Sequence, residues 1–178
     1  MQSFRYTQDT IDAELKKSKE DFILHFRSAY TDDYPPAWMI AEILPLGLLC
    51  RIYTNLKDNV IKKRVAQHFG LQVPVFSSWI VILAGLRNMC CHHCRTWNRE
   101  LATITTEPRR TKYGWIDSSR TDKRRMYYRI CMIRYFLYTV SPNNSFKDKL
   151  KTLLAAYPNI DTAAMGFPSD WESEDIWK

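Results

Sequence analysis

A chain of 178 residues is long enough to bury a sizeable core as one domain. Hydrophobic residues at 46% and charged residues at 25% exclude a disordered chain, and only five glycines argue against a turn-dense all-β protein and for long helices. Twenty-six Lys and Arg against 19 Asp and Glu leave a net charge of +7, which favours a polyanionic partner, nucleic acid first, although a basic protein with no such partner carries the same charge.

The N-terminus, MQSFRYTQDT, has no apolar run and does not read as a secretory signal. Residues 11–30 predict a first helix with Ile11, Leu15, Phe22, Phe26 and Tyr30 near one face, broken by Asp32-Asp33-Tyr34-Pro35-Pro36. Residues 37–53 predict a second, very apolar helix, disturbed at Pro45 and Gly47 and buried nearly all round. This stretch carries Glu42, Pro45 and Arg51, and is too short and too polar to span a bilayer. Residues 59–69 predict a short basic helix stopped by Gly70. Residues 75–101 predict the longest, central helix, with Trp79, Leu83, Leu86, Cys90, His93 and Trp97 in one buried stripe. A loop over 103–117 leads to a helix over 121–140 whose stripe is Met126, Ile130, Ile133, Leu137 and Val140. A last helix over 146–157 precedes a tail with Pro158, Gly166, Pro168, Trp171 and Trp177. With no repeat and no convincing strand, the expectation is all-α, a single helical domain over 1–178. Five cysteines, an odd number with three of them clustered, do not form a secreted disulfide framework, so the expected compartment is cytoplasmic, with no membrane association.

Chemistry concentrates in Arg87-Asn88-Met89-Cys90-Cys91-His92-His93. At about 100° per residue, Asn88, His92, Arg95 and Arg99 fall opposite the packed stripe, with Arg87 on the flank between. This wheel gives His92 to the polar face, where it can handle protons, and His93 to the core. RNA cleavage without a metal needs a base for the ribose 2′-OH, an acid for the leaving oxygen and a cation on the phosphate. Histidine titrates near neutrality and arginine grips phosphate with a planar fork, so Arg87, Asn88 and His92 form a minimal set. The same spacing also fits a solvated surface. Cys91-x-x-Cys94 beside Cys90, His92 and His93 resembles half of a zinc site, but no second close Cys/His pair exists, so no metal and no cofactor is expected.

The run from Arg109 to Arg134 holds nine cations against two aspartates, with Tyr113, Trp115, Tyr127 and Tyr128 interleaved. Arg109, Arg110 and Lys112, in the loop, are the better candidates for phosphate contact; Tyr127 and Tyr128 fit the core as well as base stacking.

Several ordered motifs resemble the Abi (abortive infection) family, including its AbiD and AbiF types. They are Pro36-Ala37-Trp38-Met39, the apolar stretch 43–49, Tyr53-x-Asn55-Leu56, Arg87 to His93, Trp97-Asn98-Arg99, and Met165-Gly166-Phe167-Pro168-x-Asp170-Trp171. Cys91 and Cys94 stand where the family commonly has Ala and Ser. The resemblance covers about residue 18 to the end and implies the C-terminal half of the usual family length, truncated at the N-terminus. It implies a HEPN-like helical bundle and a metal-independent endoribonuclease of a phage-defence or toxin–antitoxin-like system. Arg87 and His92 would then be the catalytic pair, with Asn88 orienting, and Arg95, Arg99, Arg109, Arg110 and Lys112 would contact RNA. The implied partners are RNA, a second copy or a chain supplying the absent N-terminal helices, and an antitoxin or small RNA as restraint. The alternative is a non-catalytic RNA-binding or interaction module, a reduced remnant of the family.

Overall fold

The computed structural model describes residues 2–178, with side chains from Tyr6 onward. Among these residues every regular element is helical and none is a strand, so the all-α class holds. The chain divides into two compact units, residues 1–56 and 57–178.

The first unit holds α1 (Gln2–Lys17), α2 (Asp21–Ala29), α3 (Ala37–Ile43) and α4 (Leu46–Asn55). The single helix expected over 11–30 is two helices. The Ser18 N–H closes α1 onto the carbonyls of Glu14 and Leu15, and Glu20 is extended (φ −63°, ψ 134°) before α2 begins. The Arg27 guanidinium on α2 also donates to the Leu15 carbonyl, a second bond on an acceptor at the end of α1. The helix expected over 37–53 is likewise divided, because the residue before a proline is driven out of the helical region, and Leu44 is extended (ψ 142°) before Pro45. Nor is this segment buried all round. No residue of α3 is buried and Trp38 is 64% exposed, whereas α4 buries Leu48, Cys50 and Tyr53. Tyr34 donates to Asp12 Oδ1 (2.7 Å) and accepts from Gln8 (2.7 Å), tying the α2–α3 connection to α1.

The second unit starts with α5 (Asn59–His68), capped by Asp58, whose carboxylate accepts from the N–H groups of Val60 and Ile61. It ends in a Schellman turn: Gly70 N–H bonds to Gln67 O, Leu71 N–H bonds to Ala66 O, and Gly70 has φ +67°. The core helix α6 (Val73–Cys91) follows and packs on α5 and α7 (Met126–Val140). By length and composition α6 is apolar enough to cross a membrane (19 residues, mean hydropathy 1.4); here Val75, Phe76, Trp79, Ile82, Ala84 and Leu86 are buried. Trp79 is fully buried, with ring centroids 4.7 Å from Trp115 and 5.5 Å from Tyr135, and Phe69, Phe76 and Phe136 cluster beside it.

The expected helix over 75–101 stops at Cys91. His93 N–H bonds to Cys90 O (3.1 Å), Cys94 N–H bonds to Met89 O (2.9 Å), and His93 takes φ 54°, so a second Schellman turn reverses the chain. The predicted stripe therefore ends early: Trp79 and Leu86 are buried and Leu83 half-buried, while Cys90 is exposed and Trp97 is 40% exposed. The loop expected over 103–117 is irregular as predicted, but it belongs to a longer irregular segment, residues 92–125, that also replaces the rest of the helix. It returns along α6. Arg129 donates to Thr103 O, Thr106 N–H donates to Ser78 Oγ (3.1 Å), Trp79 donates to Thr106 O (3.0 Å), and Gln72 donates to Arg110 O (3.0 Å).

The helix expected from residue 121 begins at Met126. Asp122 captures the Arg124 N–H (2.8 Å) and the Thr121 hydroxyl donates to Gly166 O (2.6 Å), local bonds that compete with a helical turn. The buried face of α7 is also not the predicted one. Of the predicted stripe only Met126 is buried, Ile130, Ile133 and Leu137 are half-buried and Val140 is 63% exposed, while Tyr127, Tyr128, Cys131, Met132 and Tyr135 are fully buried. The cause lies downstream of α8 (Phe146–Ala156), where a short 3-10 turn brings Ile176 and Trp177 onto α7, with Trp171 edge-on to Trp177 at 5.0 Å. Trp177 donates to the Tyr127 hydroxyl at 3.1 Å.

Candidate functional site

Arg87, Asn88 and His92 lie on the last turns of α6 and all three are exposed, although the helix that carries them is the core of its unit. Arg87 donates to Asn88 Oδ1 at 3.3 Å. His92 caps the helix, its backbone N–H bonding to Asn88 O at 2.9 Å. Five residues at 3.6 per turn put the Arg87 and His92 side chains about 140° apart around the axis. Arg87 edges an apolar groove of about 290 Å³ formed with Leu83, Leu86 and Cys90 from α6 and Ile133, Phe136 and Leu137 from α7.

His93 is not the buried structural residue that the helical wheel predicts. It is exposed, because the helix has ended and its backbone has turned into the left-handed region. Arg95 and Arg99 are exposed as expected, but in the irregular segment rather than on a continuous helix face. Arg99 borders a second groove, about 380 Å³, with Gly85, Met89 and the buried Arg129. Cys90, Cys91 and Cys94 are exposed free thiols, whereas burial pushes the Cys50 and Cys131 thiols up. Among the described residues no three His, Cys, Asp or Glu side chains come together as metal ligands.

The basic run 109–134 is largely consumed by the fold. Arg120 pairs with Asp170 and Glu174 (3.2 Å to the latter), Lys123 with Glu107, and Arg124 with Glu100 and Asp122. Arg125 donates to Asn98 Oδ1 (3.1 Å). Arg129 and Arg134 are buried on α7, and Tyr127 and Tyr128 are core residues unavailable for stacking on bases. That leaves Arg109, Arg110 and Lys112, all exposed and, among the described residues, without a carboxylate partner. Lys112 Nζ lies 5.0 Å from the centroid of the Tyr113 ring. Its backbone is fixed by Tyr135, whose hydroxyl accepts from Lys112 N–H (3.1 Å) and donates to Phe69 O (3.0 Å).

Lys63 on α5 was not singled out by the sequence. It shares with Arg110 and Lys112 a groove of about 610 Å³. The available signal was Gly70: its turn folds the end of α5 against Lys112, and a Cβ there would stand 2.1 Å from Lys112 Cβ.

A family model described as Abi-like protein matches residues 2–98. No curated protein and no solved structure matches the chain. The match begins ahead of residue 18, where the motif resemblance started, and takes in Arg87, Asn88, His92 and Arg95; the Trp171 tail lies beyond it. Because the matched residues make up more than half of the sequence, the chain belongs to the Abi-like protein family, a membership that suggests abortive-infection defence.

Proposed function

We propose that this protein is a metal-independent endoribonuclease of a HEPN-type abortive-infection or toxin–antitoxin-like system. The observation that carries the reading is the exposure of Arg87, Asn88 and His92 at the end of an otherwise core-forming helix, inside the family match. His92 transfers the proton between the ribose 2′-OH and the leaving 5′-oxygen, Arg87 stabilises charge on the phosphate, and Asn88 orients Arg87 through their 3.3 Å bond. The 2′-oxygen attacks phosphorus, the P–O5′ bond breaks, and the products carry a 2′,3′-cyclic phosphate and a 5′-OH.

The angle of about 140° between Arg87 and His92 means that one helix does not aim both at a single phosphate. Two copies of the motif across a two-fold axis supply an acid, a base and two cations, so the active form is a dimer. Arg95, Arg99, Arg109, Arg110 and Lys112 bind the RNA backbone. The test is RNA cleavage with and without chelator by the wild type, Arg87→Ala and His92→Ala. Cleavage should resist chelation and vanish in each variant, and mixing the two variants should restore part of it. Activity that survives His92→Ala sinks the assignment.

A second reading, a non-catalytic RNA-binding module, draws on the carboxylate-free cations Arg109, Arg110 and Lys112. It predicts RNA binding without cleavage by the wild type.

A further inference from the structure

We infer that the groove formed by the α5–α6 turn and residues 110–112 is a separate binding site for the phosphodiester backbone of single-stranded RNA. It lies at the opposite end of α6 from Arg87 and His92. The inference rests on the RNA-cutting reading above and adds a length requirement for its substrate.

The groove measures about 610 Å³ and is lined by Lys63, Gln67, Gln72, Arg110, Thr111 and Lys112 over a floor of Gly70, Leu71, Val73 and Pro74. Three of these residues are cations and none is an acid. Elsewhere in this unit Arg120, Lys123, Arg124 and Lys151 are neutralised by carboxylates. Lys63, Arg110 and Lys112 have no such partner among the described residues. Cations that line one groove repel one another unless an anion joins them, and phosphate oxygens match both the guanidinium fork and the ammonium groups. The Gln67 amide adds a neutral donor suited to sugar hydroxyls and phosphate oxygens.

The walls are held rather than mobile. Gln72 donates to Arg110 O, Tyr135 fixes the Lys112 N–H, and Gly70 lets Lys112 lie against the α5 turn. Fixed donors lose less freedom on binding than free surface side chains.

Residues 99–112 connect this groove to the candidate active end, because they run back along α6. Arg99 to Thr103 border Gly85 and Met89, Thr106 bonds to Ser78 and Trp79, and Arg110 bonds to Gln72. Nineteen residues of α6 span about 28 Å at 1.5 Å per residue. At the stacked spacing of about 3.4 Å per nucleotide, one strand covers that length with on the order of eight nucleotides. A four-nucleotide RNA reaches one end only; a twenty-nucleotide RNA engages both.

The experiment compares the wild type with a Lys63→Gln, Arg110→Gln, Lys112→Gln triple variant. A Lys147→Gln, Lys149→Gln, Lys151→Gln variant on α8 removes the same three charges and controls for net charge, and thermal melting checks folding. Binding of fluorescent 4-mer and 20-mer RNA is read by anisotropy over a salt series, and cleavage is scored separately. The triple variant should lose at least tenfold in 20-mer affinity and about two units of salt slope, at roughly 0.7 per lost phosphate contact. Its 4-mer affinity should fall by a smaller factor than its 20-mer affinity, because a 4-mer still binds at the Arg87 end, and the α8 control should behave as wild type. Equal 20-mer affinity and slope in triple variant and wild type overturns the inference, even where cleavage proves the nuclease. Loss equal to that of the α8 control also overturns it, since bulk charge then explains the effect. Groove-dependent 20-mer binding with no cleavage by the wild type upholds the groove and fails the nuclease reading.

Discussion

His93 occupies at the end of α6 the left-handed position that Gly70 occupies at the end of α5. Both residues sit between the paired 5→2 and 6→1 backbone bonds of a Schellman turn, with φ 54° and +67° respectively. Glycine adopts that conformation without strain, whereas an L side chain crowds its own carbonyl at a cost of about 1–2 kcal/mol. Replacing His93 by Gly should therefore stabilise the protein by about 1 kcal/mol, a few degrees in melting temperature. On the proposed nuclease function, cleavage by His93→Gly should persist where His92→Ala abolishes it. A melting temperature lowered by His93→Gly would show that the imidazole makes a stabilising contact.

Gly70→Ala should act in the opposite direction. The backbone strain is similar, and the new Cβ meets Lys112 Cβ at 2.1 Å, so the 110–112 wall must move. A loss of about 1–3 kcal/mol is expected on chemical denaturation, with weaker binding of long RNA. Unchanged stability would mean that residues 110–112 yield freely and are not held by Tyr135.

The cysteines should separate into two classes. Cys90, Cys91 and Cys94 are exposed, while Cys50 and Cys131 are buried with their thiols pushed up by desolvation. An aromatic disulfide reagent should titrate three thiols quickly and the remaining two only after denaturant is added. Five fast thiols would contradict the packing of α4 and α7.

Acid should loosen the 100–125 segment first. The Lys123 ammonium lowers the Glu107 carboxyl, the Ser119 hydroxyl and N–H lower Asp117, the Arg124 N–H lowers Asp122, and the Arg120 guanidinium lowers Asp170. A carboxylate held below its ordinary value contributes stability that is complete above that value, 4.5 for Glu107 and 3.8 for the aspartates. The contribution is lost as pH falls through the lower, folded-state values. Melting temperature should thus be level near neutrality and drop below about pH 4, and hydrogen exchange across 100–125 should accelerate before that in α6. These pairs are exposed and salt-screened, so high salt at pH 7 should reproduce only a small part of the effect. Equal exchange in both segments would remove the ion pairs from the account.

Helices whose ends carry a chemical marker were readable in the sequence. Gly70 closes α5, and Ser141-Pro142 follows α7 at Val140. The end of α6 was not readable, because its left-handed residue is a histidine and the apolar spacing runs on to Trp97 past the turn. Periodicity in 126–140 found a helix but not its buried face, since Ile176 and Trp177 choose that face from far along the chain. Arg87, Asn88 and His92 were correctly expected on the surface; that they stop short of a long polar ridge follows from the same missed turn. Counting charge over 109–134 overstated the free field because Arg120, Lys123 and Arg124 find partners distant in sequence.

Trp177 fills the core of the second unit, fully buried against Tyr127 and Phe146, and its contacts impose an order on biosynthesis. A ribosome adds residue 177 long after it has added Arg87 and His92. Until then α7 lacks the indole that covers Tyr127. A growing polypeptide therefore carries Arg87 and His92 before the core of their unit is complete, and that core closes only once translation has passed Trp177.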